Sequence, residues 1–538
     1  MPLAGRVPCG SGRADPPGPA SLFAAPPPSA TVPAVTPARA RTNAVVVAIA
    51  LAAVALWAAL SPPGANDVAG GDEGYYGTMA RNILADGRYL VSPAQTPLGP
   101  PGDKPPVYPA LLALSVRLLG PTEAALRWPS LLFSGLVVIA TALLAGRAAG
   151  GAGAIAAAAF LATLPWFADS ARVANAEIPL AAFGMVALAL LASGRPGGRR
   201  ALAAGALLGL AFLCKLWLVA LVALPAVALV VPGPPGGPKG QARRALLALV
   251  AGAVAVGALQ LAAVALLASG HIGHWIDVYF RFSLASRVGG EGFARDWLKP
   301  PNYYPLILGR AFVLLLPFVA IGAWDAGRRL REPVPRAILA GALGFVPLSL
   351  FGVKSGVYLF PVVPAWAALA ALGFASVTGG PRDGGTPARN SAPLRWIAMA
   401  LALLAVLGGL VRVAQRLPLR YHDPGFREVA MALEPELRGA SPASASYIAP
   451  EAPAFGYYLF RSGRYWGTPL APWSAEQLSG VAADTSLRAF VVDPSQRFYG
   501  GWPDSATLAW LERDTREITA GIDRRLEVRV FTRRRGNP

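Results

Sequence analysis

The chain is poor in charge, cysteine, histidine and lysine, and each shortage excludes something. Only 14% of its 538 residues are charged while 54% are hydrophobic; a soluble domain carries about a quarter charged residues, so an ordinary soluble protein is ruled out. Two cysteines, Cys9 and Cys214, lie far apart and supply neither a disulfide framework nor a metal pair. Cys9 also lacks the preceding apolar run of a signal or lipoprotein sequence. Of the histidines, His271 and His274 are close enough to share a helix face. No third ligand stands at a metal-site spacing, so they read as interfacial residues. The formal net charge of +19 is not gathered on a basic, aromatic-interleaved face, which argues against nucleic acid. The glycines of GGAGAIAAAAF near Gly150 follow no strand and precede no suitably placed acid, so they are no nucleotide-binding loop.

What the sequence has in abundance is apolar runs close to the ~20 residues that span a bilayer. Residues 1–42 are rich in Pro, Ala, Gly and Ser and read as a disordered cytoplasmic tail with Arg39 and Arg41 beside the membrane. From Asn43 to Arg416, about eleven spans are predicted, over 43–60, 126–146, 152–168, 177–193, 201–214, 216–231, 243–268, 305–325, 336–353, 355–377 and 394–414. Val107–Leu119 is short and interrupted by Arg117, and reads as a helix lying on the surface. That assignment puts Arg147, Arg195, Arg199, Arg200, Lys239, Arg243, Arg244, Arg328, Arg329, Arg331, Arg336, Arg382, Arg389 and Arg395 on one side, as the positive-inside rule requires. Beyond Arg416 the long apolar runs stop. Residues 417–538 read as a small α/β domain on the outer side, with strands near Leu487–Asp493 and Leu526–Thr532 and helices at Gly425–Leu433, Ala475–Val481 and Ser505–Arg513.

Gly70–Pro106 is the long polar passage on that outer side. It opens with Asp72 and Glu73 at the head of a helix whose apolar face is Tyr76, Met79, Ala80, Ile83 and Leu84, and closes with Asp103, Lys104, Pro105 and Pro106. Carboxylates at a helix start also serve as caps, but one acid suffices for the dipole, and Gly70, Gly71, Gly74 and Gly77 leave open space that suits a substrate. Only five of the 48 basic residues are lysine. Four of these, Lys104, Lys215, Lys299 and Lys354, fall on the outer side, against the rule that places cations inside. Lys215 and Lys354 each sit at a tight reversal between apolar runs, where an unpaired charge is costly. Compact ammonium groups at a membrane surface suit a lipid phosphate. Asp169, Arg172 and Glu177 occupy another outer turn, equally readable as a solvated turn or a functional one.

The segments GDEGYYGTMARNIL, DKPPVYPALLAL, ARVANAEIPLAAF, GLAFLCKLWL and FGVKSGVYLFPVVPAWAAL together resemble the GT-C glycosyltransferases that use polyprenyl-phosphate sugars. Similar groups are the aminoarabinose (lipid A) transferases and the protein O-mannosyltransferases. The resemblance implies a polytopic α-helical membrane protein of the GT-C fold, with Asp72 as catalytic carboxylate and Lys104 and Lys354 on the lipid phosphate; Glu73 is read as a second catalytic acid and Lys215 as a third phosphate-binding cation. Asp103, Tyr75, Arg172, Glu177 and Tyr358 are the expected substrate-binding set. Tyr75 stands where aminoarabinose transferases carry arginine, and KPPNYYP lacks the histidine that shortly precedes it in similar proteins. No cofactor is implied, although a divalent metal is compatible with the acids. The expected partners are a polyprenyl-phosphate-linked sugar, membrane lipids and a lipid, glycan or protein acceptor, at the outer face of the cytoplasmic (inner) membrane. The competing reading, a transporter or flippase, requires ionisable groups near the bilayer midplane. A sensory membrane protein that binds a partner through its outer domain leaves the acid–lysine loop unexplained.

Overall fold

The computed structural model describes residues 36–68, 72–86, 105–194, 197–231, 239–267, 273, 299–379, 392–419, 425–438, 447–448, 452–459, 463–464, 488–492, 505–519 and 529–533. The helix expected at Ala475–Val481, the tail before residue 36, and His271 and His274 lie outside them.

Each apolar stretch carries helix. The order is α1 (Pro37–Leu60), α2 (Asp72–Asp86), α3 (Val107–Leu119), α4 (Glu123–Ala162), α5 (Pro165–Ala171), α6 (Glu177–Ala192), α7 (Gly198–Phe212), α8 (Ala220–Val230) and α9 (Lys239–Leu267). There follow α10 (Tyr303–Ala311), α11 (Leu316–Arg328), α12 (Pro333–Ala342), α13 (Phe345–Ser349), α14 (Val363–Thr378) and α15 (Ala392–Leu419). α1 begins before the expected Asn43 because Pro37 takes the first helical position, where its missing N–H costs nothing. Arg39 and Arg41 therefore sit on this helix rather than in a tail. By length and composition four helices, α1, α4, α9 and α15, can cross a membrane among the described residues. A fifth span arises if the pair α10–α11, bent by 77°, counts as one. The other apolar helices are shorter.

α4 is two helices in one. Gly150 (φ 70°, ψ −167°) breaks it in the left-handed half of backbone space, which glycine enters without a Cβ clash. This is the turn between the spans expected at 126–146 and 152–168. α4 is mostly buried and packs against α1, α3, α6 and α14. The outward faces of α1, α9 and α15 instead expose Leu51, Leu247, Val254, Leu403, Leu407 and Val411. A contiguous apolar surface on that scale is not stable against water, and lipid satisfies it.

The two ends of the bundle differ. At one, Arg147 donates to the Ser193 carbonyl (3.1 Å), Arg329 to Ala148 (3.1 Å) and Arg336 to Ala228 and Val231 (2.6 and 2.5 Å). These arginines thus tie off helix C-termini whose carbonyls have no helical partner. The other end carries α2, α3, the α5–α6 turn and the C-terminal elements.

After α15 the chain forms α16 (Phe426–Leu433), β1 (Tyr447–Ile448), α17 (Ala452–Leu459), β2 (Gly463–Arg464), β3 (Ala489–Val492), α18 (Ser505–Asp514), β4 (Thr515–Glu517) and β5 (Arg529–Arg533). The sheet order is β2-β1-β3-β5-β4. β1 pairs parallel with β2 and β3, whereas β5 runs antiparallel to β3 and β4. Phe426, Val429, Leu433, Phe455, Val491 and Val530 make a core separate from that of the membrane helices.

Helices α7 and α9 touch backbone to backbone. A Cβ added at Gly252 on α9 would lie 2.1 Å from the Leu202 carbonyl oxygen of α7, whereas at Gly257, further along α9, it would meet nothing within 4 Å. Small residues permit such close approach in a bilayer, where helix association rests on packing. Gly252→Leu is therefore expected to destabilise the detergent-solubilised protein by about 1–3 kcal/mol through overpacking. Gly257→Ala is expected to leave it unchanged or slightly more stable; comparing thermal melting of the two variants checks this.

Candidate active site

Asp72 and Glu73 are neighbours with opposite fates. Successive helix residues point about 100° apart, so a pair at the head of α2 faces two environments. The Asp72 side chain is 47% exposed; that of Glu73 is 1% exposed. Glu73 accepts from Arg127 through both oxygens, Nε to Oε1 and Nη2 to Oε2, each at 2.9 Å. It also accepts the Ala174 backbone N–H at 2.9 Å. The rest of the Arg127 guanidinium donates to the carbonyls of Pro63 (2.8 Å), Asn66 (2.8 Å) and Asp67 (2.5 Å). One fork-shaped cation thus fixes the approach to α2 and the helix itself, while Glu73 ties both to the turn before α6. Arg127 was not singled out in the sequence, although a charge in the run Glu123–Leu132 was the available signal.

Around this pair the packing is aromatic and polar. Tyr76 meets Tyr108 edge-on with ring centres 4.9 Å apart, and the Tyr108 hydroxyl lies 3.0 Å from Ser130 Oγ. Ser130 accepts the Asn175 N–H (3.3 Å), while Asn175 Oδ1 accepts the Glu177 N–H (2.9 Å) at the head of α6. Tyr75 is buried and sits edge-on to Tyr76.

Lys215, at the reversal after α7, is the cation that meets Asp72. Its Nζ lies 3.3 Å from Asp72 Oδ2 and 2.8 Å from Glu177 Oε1, with only 8% of the side chain exposed. It also lies 5.8 Å from the centre of the Tyr358 ring. Four residues before Tyr358, Lys354 is buried and donates to the carbonyls of Lys299 (2.8 Å) and Phe351. The turn holding Lys354 is pinned by Tyr304, whose hydroxyl accepts the Ser355 N–H at 3.3 Å.

The expected site residues are thus partly assembled. Asp72, Glu177, Lys215 and Tyr358 converge. Glu73 is committed to Arg127 next to them. Arg172 is buried on the α5–α6 turn, donating to the Leu417 carbonyl at 2.6 Å with Asp169 3.8 Å away. It anchors the end of α15. Asp103 and Lys104 lie outside the described residues. Among the described residues no group of three or more His, Cys, Asp and Glu side chains is placed to hold a metal ion. Asp72 and Glu177 converge on an ammonium group, and such a donor pair does not make a complete metal site.

The family model described as dolichyl-phosphate-mannose-protein mannosyltransferase matches residues 103–263. No curated protein sequence matches the chain. Among solved structures, ArnT from Cupriavidus metallidurans bound to undecaprenyl phosphate is similar, with a TM-score of 0.63 and 17% identity, over 92% of this chain and 99% of that one. The archaeal oligosaccharyltransferase AglB from Archaeoglobus fulgidus, in complex with an inhibitory peptide and a dolichol-phosphate, gives a TM-score of 0.58 at 14% identity, over 88% of this chain and 72% of that one. The mycobacterial arabinofuranosyltransferase AftD gives 0.52 at 15% identity, over 90% of this chain and 41% of that one. The shared architecture bears out the fold that the motifs' resemblance implies: the chain has a helical, GT-C-like fold.

Proposed function

We propose that the chain moves a sugar from a polyprenyl-phosphate carrier to an acceptor hydroxyl or phosphate, with Asp72 as general base. The observation that carries this reading is the half-exposed Asp72 carboxylate, held at the head of α2 by the buried Lys215 ammonium. The ion pair aims the carboxylate, and about half of its side chain is exposed. The reaction would run at the outer face of the cytoplasmic membrane. Support comes from the arginines gathered at the opposite end of the bundle and from the carriers in the similar structures, undecaprenyl phosphate in ArnT and dolichol-phosphate in AglB.

The chemistry follows from the groups present. Asp72 takes the acceptor proton as the acceptor oxygen attacks the anomeric carbon. The bond from that carbon to the carrier phosphate breaks, and the phosphate leaves with the electron pair. Phosphate is a weak base, with a second pKa near ~6, so it needs cationic stabilisation more than a proton donor. An ammonium carries three N–H groups. Lys354 gives two to carbonyls, which leaves one for a phosphate, and Lys215 and Lys104 complete the cationic set. One base opposite the leaving group implies inversion at the sugar carbon, by analogy with inverting glycosidases. Glu177 holds Lys215 in place, and Glu73 positions α2 through Arg127.

The neighbouring acids separate chemistry from architecture. In membranes supplied with radiolabelled polyprenyl-phosphate sugar, Asp72→Asn is expected to lower transfer by roughly 10²-fold or more, with a smaller loss of stability than Glu73→Gln because Glu177 still pairs with Lys215. Glu73→Gln leaves Arg127 buried without its charge partner and is expected to cost about 3–5 kcal/mol of stability. Transfer that survives Asp72→Asn would refute the base assignment. Lys354→Met is expected to weaken binding of undecaprenyl phosphate roughly tenfold, the loss of one charge-assisted hydrogen bond, as measured by titration in nanodiscs.

A further inference from the structure

We infer that the C-terminal α/β domain positions the catalytic helix α2 through a latch centred on Tyr458, a proposal that rests on Asp72 being the base. α17 divides its side chains between two cores. Phe455 and Leu459 join the core of the domain, whereas Tyr457 is buried in the core of the membrane helices. There Tyr457 fills the space beside Gly77 on α2: a Cβ at Gly77 would fall 3.0 Å from the ring and 2.9 Å from Leu126. Its hydroxyl donates to the Thr122 carbonyl at 3.0 Å, and the Arg81 guanidinium of α2 lies 4.6 Å from the ring centre. That stacking places a cation on an aromatic face within reach of a favourable interaction.

Tyr458 bridges in the other direction. Its hydroxyl accepts the Val68 N–H at 2.8 Å and donates to Glu123 Oε1 at 2.9 Å. Burial holds the phenol above its ordinary pKa, so it stays protonated and able to donate. Arg427 on α16 lies 3.7 Å from the same Glu123 oxygen, and its backbone N–H donates to Asp67 Oδ2 at 2.8 Å. Glu123 lies one helical turn before Arg127, and Arg127 holds both the Asp67 carbonyl and Glu73. The domain therefore grips the residues that precede α2, the face of α2 itself, and the segment carrying the arginine that pairs with Glu73. The three routes meet at α2: one touches the helix itself, one holds the residues before it, and one steadies the segment whose Arg127 pairs with Glu73. Contacts needed only to keep a tethered domain nearby would not have to converge on one helix.

The proposal makes Tyr458 a positioning residue, so its removal must loosen α2 and slow the chemical step without weakening donor binding. The test uses the full chain in lipid nanodiscs. Tyr458→Phe is expected to speed amide hydrogen exchange across residues 72–86 and leave exchange in β3 and β5 unchanged. With radiolabelled undecaprenyl-phosphate-linked sugar, kcat is expected to fall roughly 10- to 100-fold, the scale of a misplacement near 1 Å, with KM within about twofold. Glu123→Ala is expected to give the same pair of changes and serves where Tyr458→Phe folds poorly. Arg513→Ala, on the exposed face of the domain, is expected to change neither. Unchanged exchange in α2 would overturn the coupling. Faster exchange with unchanged kcat would overturn the positioning role. Transfer that persists in Asp72→Asn would refute the base assignment instead, and the exchange measurement would still decide whether the domain holds α2.

Discussion

The end of the bundle that carries α2 is organised by one buried ammonium group held between two carboxylates. Lys215 meets Asp72 and Glu177 within 3.3 Å while almost entirely shielded. An isolated ammonium in such a place would cost several kcal/mol. Two acids offset that cost, and the geometry allots them different parts. Glu177 is buried at the head of α6 and fixes the lysine; Asp72 is half exposed and faces outward. The arrangement draws on three distant stretches of chain, which is why the reversals at Lys215 and Tyr358 must be tight. Any displacement of α2, α6 or the turn after α7 would break it.

A second cation supports the first. Arg127 gathers Glu73 and three backbone carbonyls in the same buried region, so the helix that carries Asp72 is fixed at its first turn. A buried pair of this kind adds less net stability than its Coulomb energy suggests, because desolvation takes most of the gain. Its value lies in register: with Arg127 in place, the head of α2 has one position. α3 and its aromatic contact through Tyr108 to Tyr76 support the same turn from the side.

Much of this was legible in the sequence, for physical reasons that can be named. Apolar stretches must satisfy their backbone internally in a membrane, so each of them emerges as helix. Lys215 and Lys354 drew notice because charges at reversals between apolar runs are expensive, and both are buried, one ion-paired and the other hydrogen-bonded to carbonyls. Local pattern placed Asp72 and Glu73 at a helix start without telling them apart; only the family resemblance pointed to Asp72. What separates them is Arg127, 54 residues further on, and local pattern carries no such information. The same holds for Arg172, whose partner is the Leu417 carbonyl, and for the two-residue strands β1 and β2, too short for any alternation to appear. Tyr457 and Tyr458 fall in a stretch where the sequence suggested no element. Only the packed structure brings both of their hydroxyls to the segments flanking α2.

The central claim is that the Asp72–Lys215 pair faces the headgroup of a lipid-linked sugar. It is tested most directly by determining the structure of the full chain with a polyprenyl phosphate bound. The account predicts a phosphate in hydrogen-bond contact with the ammonium of Lys215 or Lys354, with the Asp72 carboxylate facing the same headgroup. A phosphate seated elsewhere in the bundle, or one that binds with Asp72 turned away from it, would contradict the account.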